Sequence, residues 1–175
     1  MIRLYLYPAV VFLFVAGCVP AQRGVSPEEI PLKLPASPGQ PDNTEQEGRQ
    51  AASLQLTQEG REYLHSGRLE EAMSKFQKAI SLSSANPYAY YYLGEARYRQ
   101  QEYQQSLPVL DKAELFFLSN AIWLSKVHVL RGKNYEALSR FDEAKGQYQQ
   151  ALAEDSNNPE ALEGIQRLQN PEGVQ

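Results

Sequence analysis

The feature that most limits how this chain can fold is an internal repeat of about 34 residues. Residues 53–86, 87–124 and 125–158 align with one another, and the phrases GRLEEA, QEYQQS and SRFDEA fall in the same slot of each. The first carries Gly60, Tyr63, Gly67, Leu69, Ala72, Phe76 and Ala79; the second Tyr90, Leu93, Gly94, Tyr103, Ser106, Leu110 and Ala113; the third Gly132, Tyr135, Phe141, Ala144, Tyr148 and Ala151. Apolar residues three and four apart are helical spacing, and each unit is long enough for two helices. One such unit cannot bury its own apolar face, so the units must stack.

These matches resemble the tetratricopeptide repeat, a pair of antiparallel helices stacked into a solenoid. The resemblance implies an all-α fold of three helical hairpins spanning residues 49–170, closed by a capping helix over 159–169. It also implies close helix–helix approach at Gly60, Gly94 and Gly132, crossing points at Ala72 and Ala144, and gap-filling by Leu69, Tyr103 and Phe141. Gly67 suits the left-handed residue that ends a helix. Glu59, Arg97, His128 and Arg131 stand where the family has apolar residues. For His128, hydrogen-bonded packing is expected rather than a ligand role. The second unit is about four residues too long, close to one helical turn, which points to a lengthened helix somewhere in 114–124. Pro159 fits a first helical turn, and Ala161, Leu162, Ile165 and Leu168 give the last helix one apolar stripe.

Ahead of the repeats lie two different segments. Residues 1–17 combine Arg3 with an apolar run that is too short to span a bilayer, the layout of a secretory signal peptide. Val15-Ala16-Gly17-Cys18 resembles the bacterial lipobox, which implies a diacylglyceryl group on Cys18 and, with Val19 following, an outer-membrane location facing the periplasm. The alternative is an ordinary signal cleaved after Ala21. One acyl chain holds a protein only marginally on a membrane; two or more hold it firmly. Residues 18–48 contain Pro20, Pro27, Pro31, Pro35, Pro38 and Pro41 and read as a linker. Within it Ile30, Leu32 and Leu34 alternate with Pro31 and Lys33, able to dock on a partner or on the folded domain. Residues 171–175 form a tail.

The chemistry of the chain is that of binding. Net charge is −4 and no basic block exceeds two residues, which disfavours nucleic acid. Cys18 is the single cysteine and the two histidines, His65 and His128, lie on different repeats, so no nucleophile–base pair or metal-spaced set emerges. An enzyme and a cofactor, apart from the covalent lipid, are not expected. The resemblance instead implies a concave groove lined by the first helix of each pair: Arg61 and His65, then Tyr88, Tyr91, Glu95, Tyr98 and Arg99, then Lys126 and Lys133, with Leu54, Thr57, Leu64, Val129 and Glu136 on the same strip. Tyr and Arg are favoured at interfaces, and the flanking cations suit a partner segment with acidic groups. Some family members grip a carboxy-terminal carboxylate with a Lys/Asn/Asn/Lys/Arg set; Lys126 fits one slot, and no Asn occupies the groove positions. The apolar run Leu115-Phe116-Phe117-Leu118, with Ile122 and Trp123, is either core under a lengthened helix or a second surface, with Phe116, Phe117 and Trp123 available for self-association. The function these features suggest is a membrane-anchored adaptor in cell-envelope assembly, in pilus or secretion biogenesis for instance, or else a regulator of peptidoglycan-remodelling enzymes.

Overall fold

A computed structural model describes residues 44–169. They form α1 (Thr44–His65), α2 (Leu69–Leu82), α3 (Pro87–Arg99), α4 (Tyr103–Phe117), α5 (Ala121–Ala137), α6 (Phe141–Glu154) and α7 (Pro159–Gln169), with no strand among the described residues. The signal segment, Cys18, the linker up to residue 43 and the tail lie outside them. Successive helices run antiparallel and stack in chain order, as an α-solenoid should.

Small residues set the spacing within each pair. A Cβ built on Gly60 would sit 2.5 Å from the Phe76 ring, one on Gly94 2.6 Å from Leu110, and one on Gly132 2.6 Å from the Tyr148 ring. Each glycine is therefore the notch that receives the large side chain of the partner helix. Ala72 and Ala144 are fully buried at the crossings. In the middle pair Ser106 takes that slot and offsets its polarity by donating its hydroxyl to the Gly94 carbonyl at 2.9 Å. Phe141, expected to plug a gap, is 55% exposed, whereas Leu69 and Tyr103 in the same slot are partly buried.

The turns inside the three pairs are copies of one another. Gly67, Gln101 and Ser139 all have positive φ, at 76°, 64° and 59°. Behind them the amides of Arg68, Glu102 and Arg140 donate to the carbonyls of Tyr63, Arg97 and Tyr135 at 2.8–2.9 Å. This is the six-to-one bond that satisfies the last carbonyls of a helix. Only Gly67 adopts the conformation without steric cost.

Between pairs, asparagine ties the layers. Asn86 caps α3 by accepting from the Ala89 amide at 3.3 Å, while its own amide donates to Ser53 Oγ at 2.8 Å and Thr57 Oγ1 at 3.0 Å. Asn158 repeats the arrangement, accepting from Ala161 at 3.1 Å and donating to Ser125 Oγ at 3.0 Å. Ser53 and Ser125 in turn donate to the carbonyls of Ala79 and Ala151, at 2.7 and 2.9 Å. Each asparagine thus joins a helix start to the pair before it.

Two boundaries differ from the sequence reading. Helix α1 begins at Thr44, inside the segment read as linker, and runs through Gly48. No proline follows Pro41 until Pro87, and Glu45 and Glu47 in the first turn suit the positive end of the helix dipole. The four surplus residues do fall within 114–124 in a lengthened helix, but they belong to the third hairpin rather than the second. Helix α4 has 15 residues against 14 in α2 and α6, whereas α5 has 17 against 13 in α3. The extra turn is therefore the start of α5, capped by Asn120, whose side chain accepts from the Trp123 amide at 3.2 Å. The second hairpin closes at residue 120, and the third opens at Ala121.

The four family-breaking polar residues are all partnered. Glu59 pairs with Lys75 across α1 and α2 at 2.5 Å, and Arg131 bridges from α5 to Asp111 and Glu114 on α4. Arg97 donates to the Gln105 carbonyl at 2.8 Å. His128 is buried with Nδ1 3.1 Å from Gln147 Oε1, a packing role as expected.

Candidate functional site

Helices α3 and α5, the first of their hairpins, and the start of α7 enclose a cleft of about 350 Å³. Six of the nine residues expected to line the groove meet in it: Tyr91, Glu95, Tyr98, Arg99, Lys126 and Lys133. Helical spacing explains the set. Positions 91, 95 and 98, with 99 beside them, fall on one face of α3, and positions 126 and 133, two turns apart, on one face of α5. Val129 and Leu130 form an apolar stretch of wall between the two lysines. A second hollow continues past Tyr98 and Lys133 to Glu136 and Arg167.

The other three expected residues lie elsewhere. Tyr88 is only 7% exposed, wedged edge-on against Phe117 and Trp123 with ring centroids 5.2 and 5.0 Å away. Burial pushes its phenol pKa up. Its removal from the groove follows from the extra turn of α5, which carries Trp123 over it. Arg61 lies over the Tyr92 ring at 5.0 Å and donates to Gln58 at 3.0 Å, outside the cleft. His65 is exposed at the last residue of α1 and also does not reach it. Of the rest of the strip, Leu54 and Leu64 are core, and Thr57 is engaged by Asn86. Phe117 and Trp123, expected to be available for self-association, are likewise core, stacked at 5.2 Å; only Phe116 of that trio is exposed.

The cleft's charges are held by one another. Arg99 pairs with Glu95 and also donates to the Leu64 carbonyl at 3.1 Å, satisfying the end of α1. Lys133 pairs with Glu160 of α7, and Lys126 Nζ lies 4.9 Å from the Trp123 ring centroid. Three cations thus face two carboxylates across the opening. Ion pairs this exposed contribute only about 0–1 kcal/mol each, so an incoming carboxylate can exchange with Glu95 or Glu160 at little cost. Beneath, Glu136 accepts from the Tyr148 hydroxyl at 2.7 Å and from two Arg167 nitrogens at 3.1 Å each. Burial works to raise the Glu136 pKa, but the hydrogen bonds from Arg167 and Tyr148 outweigh it and hold the carboxyl below its ordinary range. Burial first, and Glu136 second, push the Tyr148 phenol far upward.

Sequence reasoning missed Asn158 and Glu160, which reach the cleft from the α6–α7 turn and the first turn of α7 respectively. The signal for Asn158 was its identity with Asn86 one layer earlier. Its amide nitrogen donates to Ser125 Oγ and its oxygen accepts from the Ala161 amide. Among the described residues, no group of His, Cys, Asp or Glu is placed to hold a metal ion, and no helix is long and apolar enough to cross a membrane.

Comparison with known proteins agrees with this geometry. Two family models match, both described as tetratricopeptide repeats, over residues 60–101 and 129–165. Among solved structures, the first TPR domain of Spaghetti (RPAP3) bound to the HSP90 peptide SRMEEVD superposes with a TM-score of 0.64 at 23% identity, covering 70% of this chain and 94% of that one. The Arabidopsis OM64 TPR domain gives 0.64 at 26% identity over 70% and 98%. The second TPR domain of human RPAP3, in complex with the HSP70 peptide SGPTIEEVD, gives 0.62 at 19% identity over 71% and 98%. Residues 44–169 form an all-α solenoid with the fold of tetratricopeptide-repeat domains, and residues 60–101 and 129–165 within it match tetratricopeptide-repeat models.

Proposed function

We propose that this chain is a lipid-anchored adaptor of the bacterial cell envelope that holds an acidic segment of a partner protein in the cleft between α3 and α5. The observation that carries the reading is the convergence of Tyr91, Tyr98, Arg99, Lys126 and Lys133 on one concave opening. Two tyrosines offer large rigid area that can also hydrogen-bond, and the cations sit around them. Solved domains of the same fold hold peptides whose sequences end in acidic residues, SRMEEVD and SGPTIEEVD, which supports an acidic segment as the occupant. Tyrosines and cations make up half of the lining, and Asn158 is its one asparagine, so charge and aromatic contact are the main means of reading the segment. The fold is typical of non-catalytic interaction modules. Attachment through a diacylglyceryl Cys18, an outer-membrane position facing the periplasm and a role in pilus or secretion assembly complete the proposal.

Lys126→Glu with Lys133→Glu tests the cleft. Capture of the native partner from a detergent-solubilised envelope should fall about tenfold, with helicity unchanged. Undiminished capture removes the cleft from the account. The acyl mass on the amino-terminal cysteine of the purified protein tests the anchor separately.

A further inference from the structure

The turn between α4 and α5 carries an apolar patch that the cleft reading leaves unused. Leu115, Phe116, Leu118 and Ile122 are 60%, 45%, 69% and 47% exposed around this single turn. The patch has a rigid floor: Phe116 stacks on Tyr90 with centroids 6.1 Å apart, and Phe117 stacks on Trp123. Clustered exposed side chains of this size are uncommon on a domain surface unless something covers them.

The topology states which end of the solenoid this is. The start of α1 and the α2–α3 turn line one hollow, through Glu45, Arg49, Leu82 and Ala85. Tyr88 at the start of α3 touches both Phe117 at the end of α4 and Trp123 at the start of α5. The patch therefore lies at the end from which the 43 residues before Thr44 depart.

We infer that residues 30–34 of the same chain cover this patch. Ile30, Leu32 and Leu34 alternate with Pro31 and Lys33. Alternation puts three branched side chains on one side of an extended segment, and the prolines lower the entropy lost on fixing it. About ten residues separate Leu34 from Thr44, a reach of roughly 33–36 Å. Three helix-to-helix steps from α1 to α4, at roughly 8–10 Å each, need less than that. Glu28 and Glu29 precede the strip and Lys33 lies within it, while Asp111 and Lys112 precede the patch by about one turn of α4. Being tethered, the strip meets the patch at an effective concentration that a separate molecule at ordinary levels does not reach.

The test uses the full chain with Cys18→Ser, Leu32→Cys and Leu118→Cys, oxidised with diamide. An intrachain disulfide should close at least about tenfold faster than in a chain with Cys18→Ser, Leu32→Cys and Leu162→Cys, whose second thiol lies at the same end but on α7. Adding Ile30→Ser and Leu34→Ser should bring the two rates together. Equal rates before those substitutions overturn the inference. So does a predominantly interchain product, which would assign the patch to a second copy. So does protection of the Leu118→Cys thiol from a water-soluble maleimide that depends on membranes and ignores Ile30→Ser and Leu34→Ser, which would assign it to the bilayer.

Discussion

The two halves of the solenoid share a frame and are filled by opposite means. From α1 to the start of α5 the layers close on aromatic rings: Phe76 stacks on Tyr92 at 5.9 Å, and Tyr88, Tyr91 and Tyr92 all meet Trp123 edge-on within 6.0 Å. From α5 to α7 one ring takes their place. Tyr148 lies between two notches, with an added Cβ on Gly132 2.6 Å away and one on Gly164 2.5 Å away, and its hydroxyl joins the Glu136–Arg167 pair. The first half is held by apolar area, which tolerates acid and salt. The second adds a buried hydroxyl and an ion pair, which do not. A repeat frame thus fixes where helices go, while what fills each notch decides how each layer responds to its surroundings.

Removing the ring that serves both notches should break the comparison most visibly. Tyr148→Ala is expected to cost about 3–5 kcal/mol, since it removes the largest buried side chain of the smaller core. Thermal unfolding should then split, with α7 and α6 melting before the aromatic half. The two asparagines provide a matched pair. Asn86→Ala forfeits bonds to Ser53, Thr57 and the Ala89 amide, all buried, and should cost about 2–3 kcal/mol. Asn158→Ala forfeits one fewer and serves only the terminal helix, so about 1–2 kcal/mol is expected from denaturant titration.

Acid sharpens the contrast without mutation. The Glu136 carboxyl has a folded pKa below its ordinary 4.5, so its stabilising contribution is fully present above pH 4.5 and is lost as pH falls through the lower folded value. Amide exchange in α7 should therefore rise in that window, while exchange in α3 stays slow. Glu136→Gln should abolish the pH step and cost about 1 kcal/mol. The smallest effect has the opposite sign. Nothing lies within 4 Å of a Cβ added at Gly146, so Gly146→Ala should stabilise α6 by about 0.5–1 kcal/mol.

What the sequence made legible was the part dictated by local sterics. Gly60, Gly94 and Gly132, and Ala72 and Ala144, stand where the repeat resemblance puts them, because a larger residue there clashes with the partner helix. What it hid depended on neighbours. Gln101 and Ser139 take the left-handed turn that Gly67 advertises, held there by the bonds behind them rather than by their own preference. The α4–α5 junction was misplaced because Asn120 caps a helix without the proline that follows Asn86 and Asn158. That slip also hid Tyr88: it has the register of a groove residue and is buried by Trp123 from the added turn. The six residues that do meet in the cleft lie on α3 and α5, where helical spacing is undisturbed. The pairing of Lys133 with Glu160 needed the third dimension, since 27 residues separate them.

A photo-crosslinking amino acid placed in turn at Tyr98 and at Gln104, in the full chain in its native envelope, tests the concave cleft most directly. Position 98 lines the opening, and position 104 is exposed on the second helix of the same hairpin. A discrete adduct from position 98, absent from position 104 and lost with Lys126→Glu and Lys133→Glu, is the result expected. An adduct of equal yield from both positions, or one indifferent to those two lysines, would contradict the account.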